Sequence, residues 1–158
     1  MSPRSGKADK WDRRFMKMAQ YVSSWSKDPV TKVGCVVVFE RKILSTGYNG
    51  FAGGMDDSPE LYADREYKLR KIIHAEQNAI HNASRAWTSL RNSTFYVWGH
   101  HVCEACASSI INIGAERVVI QNREIPERWK ESCTSAIADF HYTGVTHDMI
   151  GPRIAPDK

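Results

Sequence analysis

Two short motifs of potential metal ligands constrain the fold of this chain more than any other feature of its sequence. His74-Ala75-Glu76 opens one predicted helix, and Cys103-Glu104-Ala105-Cys106 opens the next. One predicted strand, residues 93–98, lies between them. If that strand belongs to a central sheet, both helices begin at the same edge of the sheet and their N-termini converge. One imidazole and two thiolates then meet there, one ligand short of a tetrahedral zinc site.

Three protein ligands leave one coordination position for water, which is the arrangement of a catalytic rather than a structural zinc. Helix N-termini carry partial positive charge, which favours both cysteines as thiolates. Glu76 lies two residues beyond His74 and can take a proton from a water on the metal. The order H-x-E and then C-x-x-C is typical of zinc-dependent nucleobase deaminases. We therefore predict His74, Cys103 and Cys106 as ligands of a catalytic Zn²⁺ and Glu76 as the catalytic residue.

Two other interpretations of the cysteine motif stay open. A redox Cys-x-x-Cys usually lies near the N-terminus of a thioredoxin-like unit, and it leaves the H-x-E motif without a role. A closed structural zinc could take His100 or His101 as its fourth ligand, although neighbouring ligands are difficult to wrap around one ion. We expect these two histidines to line the rim of a pocket. Cys35 and Cys133 are expected to be buried thiols of the core.

Length and composition indicate one globular domain, residues 1–158. Hydrophobic residues make up 42% and charged residues 25%, which is ordinary for a soluble protein. No apolar run approaches the roughly 18 residues of a membrane span, and the polar N-terminus lacks the apolar core of a secretion signal. We expect a cytoplasmic protein that does not bind membranes.

The charge pattern favours a small anionic partner over a nucleic acid. A net charge of +4 fits a nucleotide. The densest basic run, Lys68-Leu69-Arg70-Lys71, is typical of a solvated helix face. We therefore expect no nucleic-acid partner.

Hydrophobic periodicity predicts an α/β fold of three layers, α/β/α, with a mixed central sheet and helices on both faces. The predicted helices cover residues 10–26, 74–86, 104–113 and 129–139, and the predicted strands cover residues 32–40, 43–47, 93–98 and 116–121. Residues 56–71 are polar and are expected to become helical towards their end. The core spans about residues 10–145, and the tail from Gly151 is expected to be loose.

The blocks around the two motifs resemble the deoxycytidylate (dCMP) deaminases, in particular the small phage and bacterial enzymes of the cytidine deaminase-like zinc superfamily. The resemblance covers roughly residues 11–121 and rests on Ser26-Lys27-Asp28-Pro29, Gly47-Tyr48-Asn49-Gly50, the HAEQNAI block from His74 to Ile80, and the cysteine motif. HAExNAI with SKDP and GYNG upstream is more specific than H-x-E alone. It separates this family from the tRNA and cytosine deaminases of the same fold. Val102 departs from the pattern, because the family usually has proline before the first cysteine.

The resemblance implies hydrolysis of dCMP to dUMP and ammonia, which supplies dUMP for thymidylate synthesis. Zinc-activated water would attack C4 of the base, and Glu76 would protonate N3 and then carry a proton to the departing amine. Asn49 matches an asparagine that holds the sugar or the base in this family, although Asn-Gly is also a common turn. Ser26, Lys27 and Thr31 lie in the segment expected near the 5′-phosphate.

The resemblance also implies a homo-hexamer that dCTP activates and dTTP inhibits. The glycine-rich loop after the second predicted strand matches the region of effector binding. Its backbone N–H groups could hold a triphosphate and an aspartate could hold Mg²⁺, but its glycines are equally consistent with a tight turn. The expected effector residues are Asn49, Gly50, Phe51, Gly53, Gly54 and Asp57.

Two alternative functions remain at this stage. One is a deaminase of tRNA or single-stranded DNA on the same fold, which the modest net charge disfavours. The other is a non-catalytic binding module stabilised by zinc, which would require a fourth protein ligand.

Overall fold

A computed structural model describes residues 8–154. Its α-helices are α1 (Lys10–Ser23), α2 (Pro59–Ala63), α3 (Arg65–Lys71), α4 (Ala75–Arg85), α5 (Glu104–Asn112) and α6 (Lys130–Thr143). Its strands are β1 (Gly34–Phe39), β2 (Lys42–Tyr48), β3 (Thr94–Trp98), β4 (Arg117–Arg123) and β5 (Thr146–Ile154). A 3₁₀ turn, Glu127–Trp129, immediately precedes α6. Within residues 8–154, no helix has the length and apolar character that crossing a membrane requires.

The five strands form one mixed sheet in the order β2-β1-β3-β4-β5. β1 is antiparallel to both of its neighbours, whereas β3, β4 and β5 run parallel to one another. The hairpin between β1 and β2 turns at Glu40 and Arg41, whose φ angles are 50° and 64°. Two consecutive positive φ angles give the type I′ turn that matches the twist of a two-stranded hairpin.

Alternate residues of the central strands pack into two separate cores. On one face, Val36 of β1 and Tyr96 of β3 share a core with α1, where the ring centroids of Phe15 and Tyr96 are 5.3 Å apart. On the other face, Cys35 and Val37 share a core with α4, α5 and α6. The predicted three-layer α/β/α fold is therefore confirmed, and so is the burial of Cys35 and Cys133.

The sequence analysis misses the fifth strand. β5 pairs in parallel with β4 as far as Ile154, so the expectation of a loose tail is wrong for residues 151–154 and the core extends beyond residue 145. Of the nine residues of β5, only Ile150 is buried. An edge strand with so little burial lacks the alternation by which strands are recognised. The rest of the predicted tail, residues 155–158, lies outside the described residues.

A buried ion-pair network fastens α1 to the sheet. Arg117 of β4 lies 2.8 Å from Asp12 of α1 and 2.7 Å from Asp148 of β5, and the Tyr96 hydroxyl donates to Asp12 Oδ1 at 2.8 Å. Burial tends to raise the pKa of Asp12, but the hydrogen bonds from Arg117 and Tyr96 outweigh it, so that this pKa lies below its usual value of 3.8. The ionised carboxylate therefore stabilises the folded chain.

We expect Asp12→Asn to lower the free energy of unfolding at pH 7 by about 2–4 kcal/mol, because it leaves Arg117 without its buried partner. The folded-state pKa of Asp12 lies below the unfolded one. Its stabilisation is therefore present above about pH 4 and is lost as the pH falls through the folded pKa. Denaturant unfolding from pH 7 to pH 3 measures this difference, which should shrink at acid pH.

Asp139→Asn is the matched control, since Asp139 is exposed on α6 and its loss should cost less than about 0.5 kcal/mol. Equal costs for the two substitutions at pH 7 would contradict a structural role for the network.

Candidate active site

The N-termini of α4 and α5 meet at one edge of the sheet. β2 and β3 lie on either side of β1 and both run antiparallel to it, so Tyr48 and Trp98 both pair with Gly34 and both strands end at this edge. His74 is the N-cap residue of α4 and Cys103 is the N-cap residue of α5. Neither side chain forms the usual capping hydrogen bond to its own helix. The predicted convergence of the two motifs is thus confirmed.

His74, Cys103 and Cys106 form a compact set of metal-ligating atoms, called here the metal set. His74 Nδ1 lies 3.4 Å from the Sγ atom of each cysteine, and one ligand atom of each residue lies within 4.8 Å of the others. Bonds of about 2.0 Å to nitrogen and 2.3 Å to sulfur, at a tetrahedral angle, put these atoms roughly 3.5 Å apart. The donors therefore fit Zn²⁺ in both chemistry and spacing. Across residues 8–154, no fourth His, Cys, Asp or Glu joins the set.

Hydrogen bonds within the metal set determine the pKa values of its members. The contact with Cys106 is the main cause that lowers the pKa of Cys103 to about 4, and His74 adds to it against the effect of burial. The same contact between the sulfurs raises the pKa of Cys106, and burial raises it further. The contact with Cys103 raises the pKa of His74. One sulfur is thus ionised and the other keeps a proton, which a metal ion would displace.

Glu76 is buried beside the metal set without belonging to it. Its side chain is 3% exposed. Burial raises the pKa of Glu76 to about 7, although the neighbouring His74 acts in the opposite direction. A carboxyl group with a pKa near neutrality can both accept and donate a proton. This position suits the catalytic role that we predict for it.

A cavity of about 340 Å³ opens onto the metal set. Its walls come from the segment before β1, the residue after β2, helices α2 and α3, the segment before α5 and the 3₁₀ turn before α6. The residues singled out in the sequence that line it are Thr31, Asn49, His74, Glu76, His100, His101 and Cys103. The cavity thus connects two of the three predicted metal ligands, His74 and Cys103, with two of the predicted substrate-binding residues, Thr31 and Asn49.

Asn49 holds a wall of this cavity together. Its Oδ1 accepts the backbone N–H of Val33 at 2.9 Å, and its Nδ2 donates to the carbonyl of Thr31 at 2.8 Å. Neither Asn49 nor Gly50 has a positive φ, so the alternative of an Asn-Gly tight turn is wrong. Gly50 instead forms an antiparallel bridge with Ile73, which aligns the chain as it enters α4.

Ser26 and Lys27 lie outside the cavity lining. Ser26 Oγ donates to the carbonyl of Asn49 at 2.8 Å, so the serine supports the wall from behind. Lys27 Nζ lies 2.6 Å from Asp57 Oδ2, and both side chains of this ion pair are exposed. These positions do not support the expectation that Ser26 and Lys27 contact the phosphate.

The cations that line the cavity are Arg65, Lys68 and Arg128, and the sequence analysis misses all three. Lys68 falls in the basic run that was expected to be a solvated face, but its side chain is only 18% exposed and pairs with Asp28 at 3.0 Å. Arg65 and Lys68 are three positions apart and so share one face of α3. This spacing could have identified Arg65 and Lys68 as neighbours from the sequence alone, whereas no sequence pattern marks Arg128.

His100 and His101 lie on the cavity wall and outside the metal set, as expected. His101 Nε2 is 2.7 Å from the carbonyl of Arg123, and His100 Nδ1 is 2.7 Å from the carbonyl of His101. The alternative of a closed zinc site using either histidine is therefore wrong. Val102 is 3% exposed within the core that contains α4 and α5. It anchors the start of α5 by apolar packing where the family pattern has proline.

Most of the predicted effector residues lie away from the cavity. Of the six, only Asn49 lines it. The Phe51 ring stacks on Tyr62 with centroids 4.4 Å apart, and Asp57 is the partner of Lys27. Gly53 and Gly54 have open space around them.

Comparison with known proteins agrees with this geometry. The family described as the cytidine and deoxycytidylate deaminase zinc-binding region matches residues 9–122. The chain belongs to this family. A zinc-binding family is consistent with the His/Cys/Cys donor set of this chain. The resemblance inferred from the sequence motifs is therefore confirmed.

Individual relatives of this deaminase cover most of its length. It is 39% identical to an uncharacterised deaminase of Aliivibrio fischeri, over 86% of this chain and 90% of that protein. It is 32% identical to the deoxycytidylate deaminase of Homo sapiens, over 90% of this chain and 81% of that protein. The structure of the dCMP deaminase from cyanophage S-TIM5, with dCMP and dUMP, shares its fold with a TM-score of 0.71 at 23% identity, over 92% of this chain and 100% of that chain.

Helix α4 of the deaminase lies so close to β2 that only glycine fits between them. A Cβ atom on Gly47 would lie 2.3 Å from the carbonyl oxygen of Ala75 and 2.3 Å from the backbone nitrogen of Ala79. Side-chain amides of α4 donate to two carbonyls of β2 at 2.8 Å, from Asn78 to Tyr48 and from Asn82 to Thr46. This contact fixes where α4 begins, and hence where His74 and Glu76 lie.

We expect Gly47→Ala to weaken zinc binding by about tenfold or more, because the methyl group pushes α4 away from β2 and displaces His74 relative to the cysteines. Competition with a chromophoric chelator measures the zinc affinity, and thermal unfolding reports the accompanying loss of stability. Gly53→Ala is the matched control, because a Cβ at Gly53 meets no atom within 4 Å. An unchanged zinc affinity in Gly47→Ala would show that this contact does not position the ligands.

Proposed function

We propose that this deaminase hydrolyses dCMP to dUMP and ammonia. The observation that carries the proposal is the convergence of His74, Cys103 and Cys106 next to a cavity that His74, Cys103 and the buried Glu76 line. The relatives named deoxycytidylate deaminases support dCMP as the substrate. The absence of a fourth protein ligand within residues 8–154 favours this enzyme over a zinc-stabilised binding module.

Zn²⁺ is the proposed cofactor, held by His74 Nδ1 and by the Sγ atoms of Cys103 and Cys106. When bound, it supplies a Lewis acid that lowers the pKa of water towards ~7. Cys106 has to lose its proton when the metal binds, because its raised pKa favours the protonated thiol while the metal is absent.

Glu76 moves the protons of the reaction. Its carboxylate accepts a proton from the attacking water, and the resulting carboxyl group donates this proton to N3 of the cytosine ring. The carboxylate then takes the second proton from the hydroxyl group on C4 and delivers it to the 4-amino nitrogen, so that ammonia leaves and C4 becomes a carbonyl. Burial serves this cycle because it brings the pKa of Glu76 to about 7, where both forms are populated.

The cavity walls orient the substrate. Asn49 is the proposed contact to the sugar or the base, and Thr31 is the proposed contact near the 5′-phosphate; both line the cavity. The edge-on contacts of Trp129 with His74 and His100, at centroid distances of 6.1 and 5.4 Å, place an aromatic wall beside the metal set. Ser26 acts indirectly through the carbonyl of Asn49.

We further propose a cytoplasmic homo-hexamer that dCTP activates and dTTP inhibits through the loop from Asn49 to Asp57. The open space around Gly53 and Gly54 leaves room for an effector. A Mg²⁺ ion carried by a triphosphate would compete with Lys27 for the Asp57 carboxylate.

Initial rates with the zinc-loaded protein test the activity. We expect dCMP to be converted to dUMP, followed by the loss of cytosine absorbance, faster than CMP or dCTP. Adding dCTP should raise the rate at low dCMP and adding dTTP should lower it. An absence of dCMP turnover, with and without dCTP, would refute the proposed function.

We expect Glu76→Gln to reduce kcat by about a thousandfold while one zinc ion stays bound, because the amide cannot carry protons and Glu76 is not a ligand. Metal analysis of the same sample that is assayed separates the two effects. Glu104→Gln, at an exposed position in the first turn of α5, should keep full activity. Loss of zinc from Glu76→Gln would place this residue among the ligands instead.

A further inference from the structure

A strip of side chains, called here the α1–β2 strip, follows α1 and the neighbouring edge strand β2. Near the start of α1, the ring of Trp11 contacts Arg41, which immediately precedes β2. Just beyond the end of α1, the ring of Trp25 contacts Tyr48 at the end of β2. The helix and the strand therefore run side by side in the same direction. The strip consists of Trp11, Arg14, Met18, Tyr21, Trp25, Arg41, Ile43 and Tyr48, and none of these eight residues lines the active-site cavity.

The strip is a face of α1 that the core leaves uncovered. Met18, Tyr21 and Trp25 follow one another at spacings of three and four residues, so they share one side of the helical turns. Their side chains are 39%, 62% and 47% exposed. The opposite side of α1 packs against the sheet through Phe15, Met16, Ala19 and Val22. Large apolar side chains that stay exposed together mark a surface for interaction.

One end of the strip is aromatic. The ring centroids of Tyr21 and Trp25 are 5.6 Å apart, and those of Trp25 and Tyr48 are 6.1 Å apart. Both contacts are edge-on, with interplanar angles of 75° and 88°. The three rings therefore hold one another in place while all of them remain partly open to solvent. Exposed aromatic rings of this kind are platforms on which unpaired nucleic-acid bases stack.

The other end of the strip is cationic. The guanidinium carbons of Arg14 and Arg41 lie 4.6 and 5.1 Å from the centroid of the Trp11 ring. Among residues 8–154, neither arginine forms an ion pair or a hydrogen bond through its side chain. Two guanidinium groups that gather around one ring without a carboxylate attract an anion, and their forked N–H donors match the oxygens of a phosphate group.

The fold concentrates the positive charge of the chain beside this strip. On α1, its N-cap residue and the tip of the β1–β2 hairpin, the exposed acidic residues are Asp9 and Glu40. The exposed basic residues there are Lys10, Arg13, Arg14, Lys17, Arg41 and Lys42. Their excess of four positive charges equals the net charge of the whole chain, +4. The expectation of no nucleic-acid partner rests on that modest net charge, which does not show where the charges lie.

We propose that the α1–β2 strip binds single-stranded nucleic acid, with phosphate groups at Arg14 and Arg41 and unpaired bases on the rings around Trp25. The helical rise from residue 11 to residue 25 is about 21 Å, so a segment of roughly four or more nucleotides would reach both ends. The bound strand is a partner and not a substrate, because the strip lies outside the cavity.

Charge and shape favour this partner over two others. A nucleic-acid duplex keeps its bases stacked on one another, so it offers none to the aromatic rings. A second copy of this chain, bound through the same surface about a twofold axis, would bring like charges together. A single strand supplies both the negative charge and the free bases.

Fluorescence anisotropy with a labelled oligothymidylate of about 12 nucleotides tests the proposal. The probe contains no cytosine, so it cannot bind as a substrate for deamination. With the full chain at about 50 mM salt, we expect saturable binding that weakens steeply as salt is added. Trp25→Ala should weaken binding by about fivefold or more. The double variant Arg14→Gln and Arg41→Gln should weaken it by about tenfold and reduce its dependence on salt.

The end of α4 offers a matched pair of controls outside the strip. Trp87 is 95% exposed, and Arg85 is exposed in the last turn of α4. Trp87→Ala and Arg85→Gln should each bind the oligonucleotide as the unmodified protein does. Losses in these controls equal to those in the strip variants would show a general effect of charge and exposed tryptophan, and would overturn the proposal.

Three further results would overturn the proposal. The first is an absence of oligonucleotide binding by the unmodified protein. The second is binding to vesicles containing phosphatidylserine, lost in the strip variants, when the oligonucleotide is not bound. The third is a change in sedimentation of Trp25→Ala, which would make the strip an interface between copies of this chain. Turnover of dCMP, present or absent, has no bearing on these outcomes, so they are separate from the proposed function.

Discussion

The site depends on the close approach of two helix N-termini at one edge of the sheet. β1 runs antiparallel to both β2 and β3, so the chain leaves these two strands on the same side and starts α4 and α5 there. The absence of a side chain at Gly47 lets α4 press against β2. The two motifs alone do not bring the ligands together. If the same motifs followed strands in a different order, His74 and the cysteines would be separated by the width of a strand or more.

This arrangement concentrates groups that are costly to bury. A carboxyl group, an imidazole and two thiols lie close together, all but the imidazole buried, and each of the four has a shifted pKa. The helix N-termini offset part of the cost, since their partial positive charge stabilises anionic sulfur. Apolar packing around the site offsets the rest of this cost, because Ala75, Ala79 and Val102 are buried in one core with both cysteines. Metal binding would relieve the strongest conflict, because a bound cation stabilises both sulfurs as thiolates.

The sequence predicts the centre of this protein better than its periphery. The metal set, Glu76 and the helices that carry them follow from motif spacing and from helical periodicity, because buried elements leave a regular pattern of apolar residues. β5 escapes detection since only Ile150 of it is buried. Lys68 is predicted to be a surface lysine, but it pairs with the buried Asp28, 40 positions earlier in the chain. The residues next to Lys68 in the sequence carry no sign of so distant a partner. Ser26 and Lys27 belong to the segment expected near the phosphate, but neither lines the cavity.

The residues that carry the chemistry of the site and those that could select its ligand lie in different parts of the chain. The family match ends at residue 122, and it includes every member of the metal set together with Glu76. Arg128 and Trp129 lie beyond that boundary, in a 3₁₀ turn and not in the sheet, yet they line the same cavity. A turn of three residues that contributes no buried side chain can change with little cost to the core. Substitutions there can therefore alter which molecule reaches the metal set while the ligands, held by β2, β3 and the helices that follow them, stay in place.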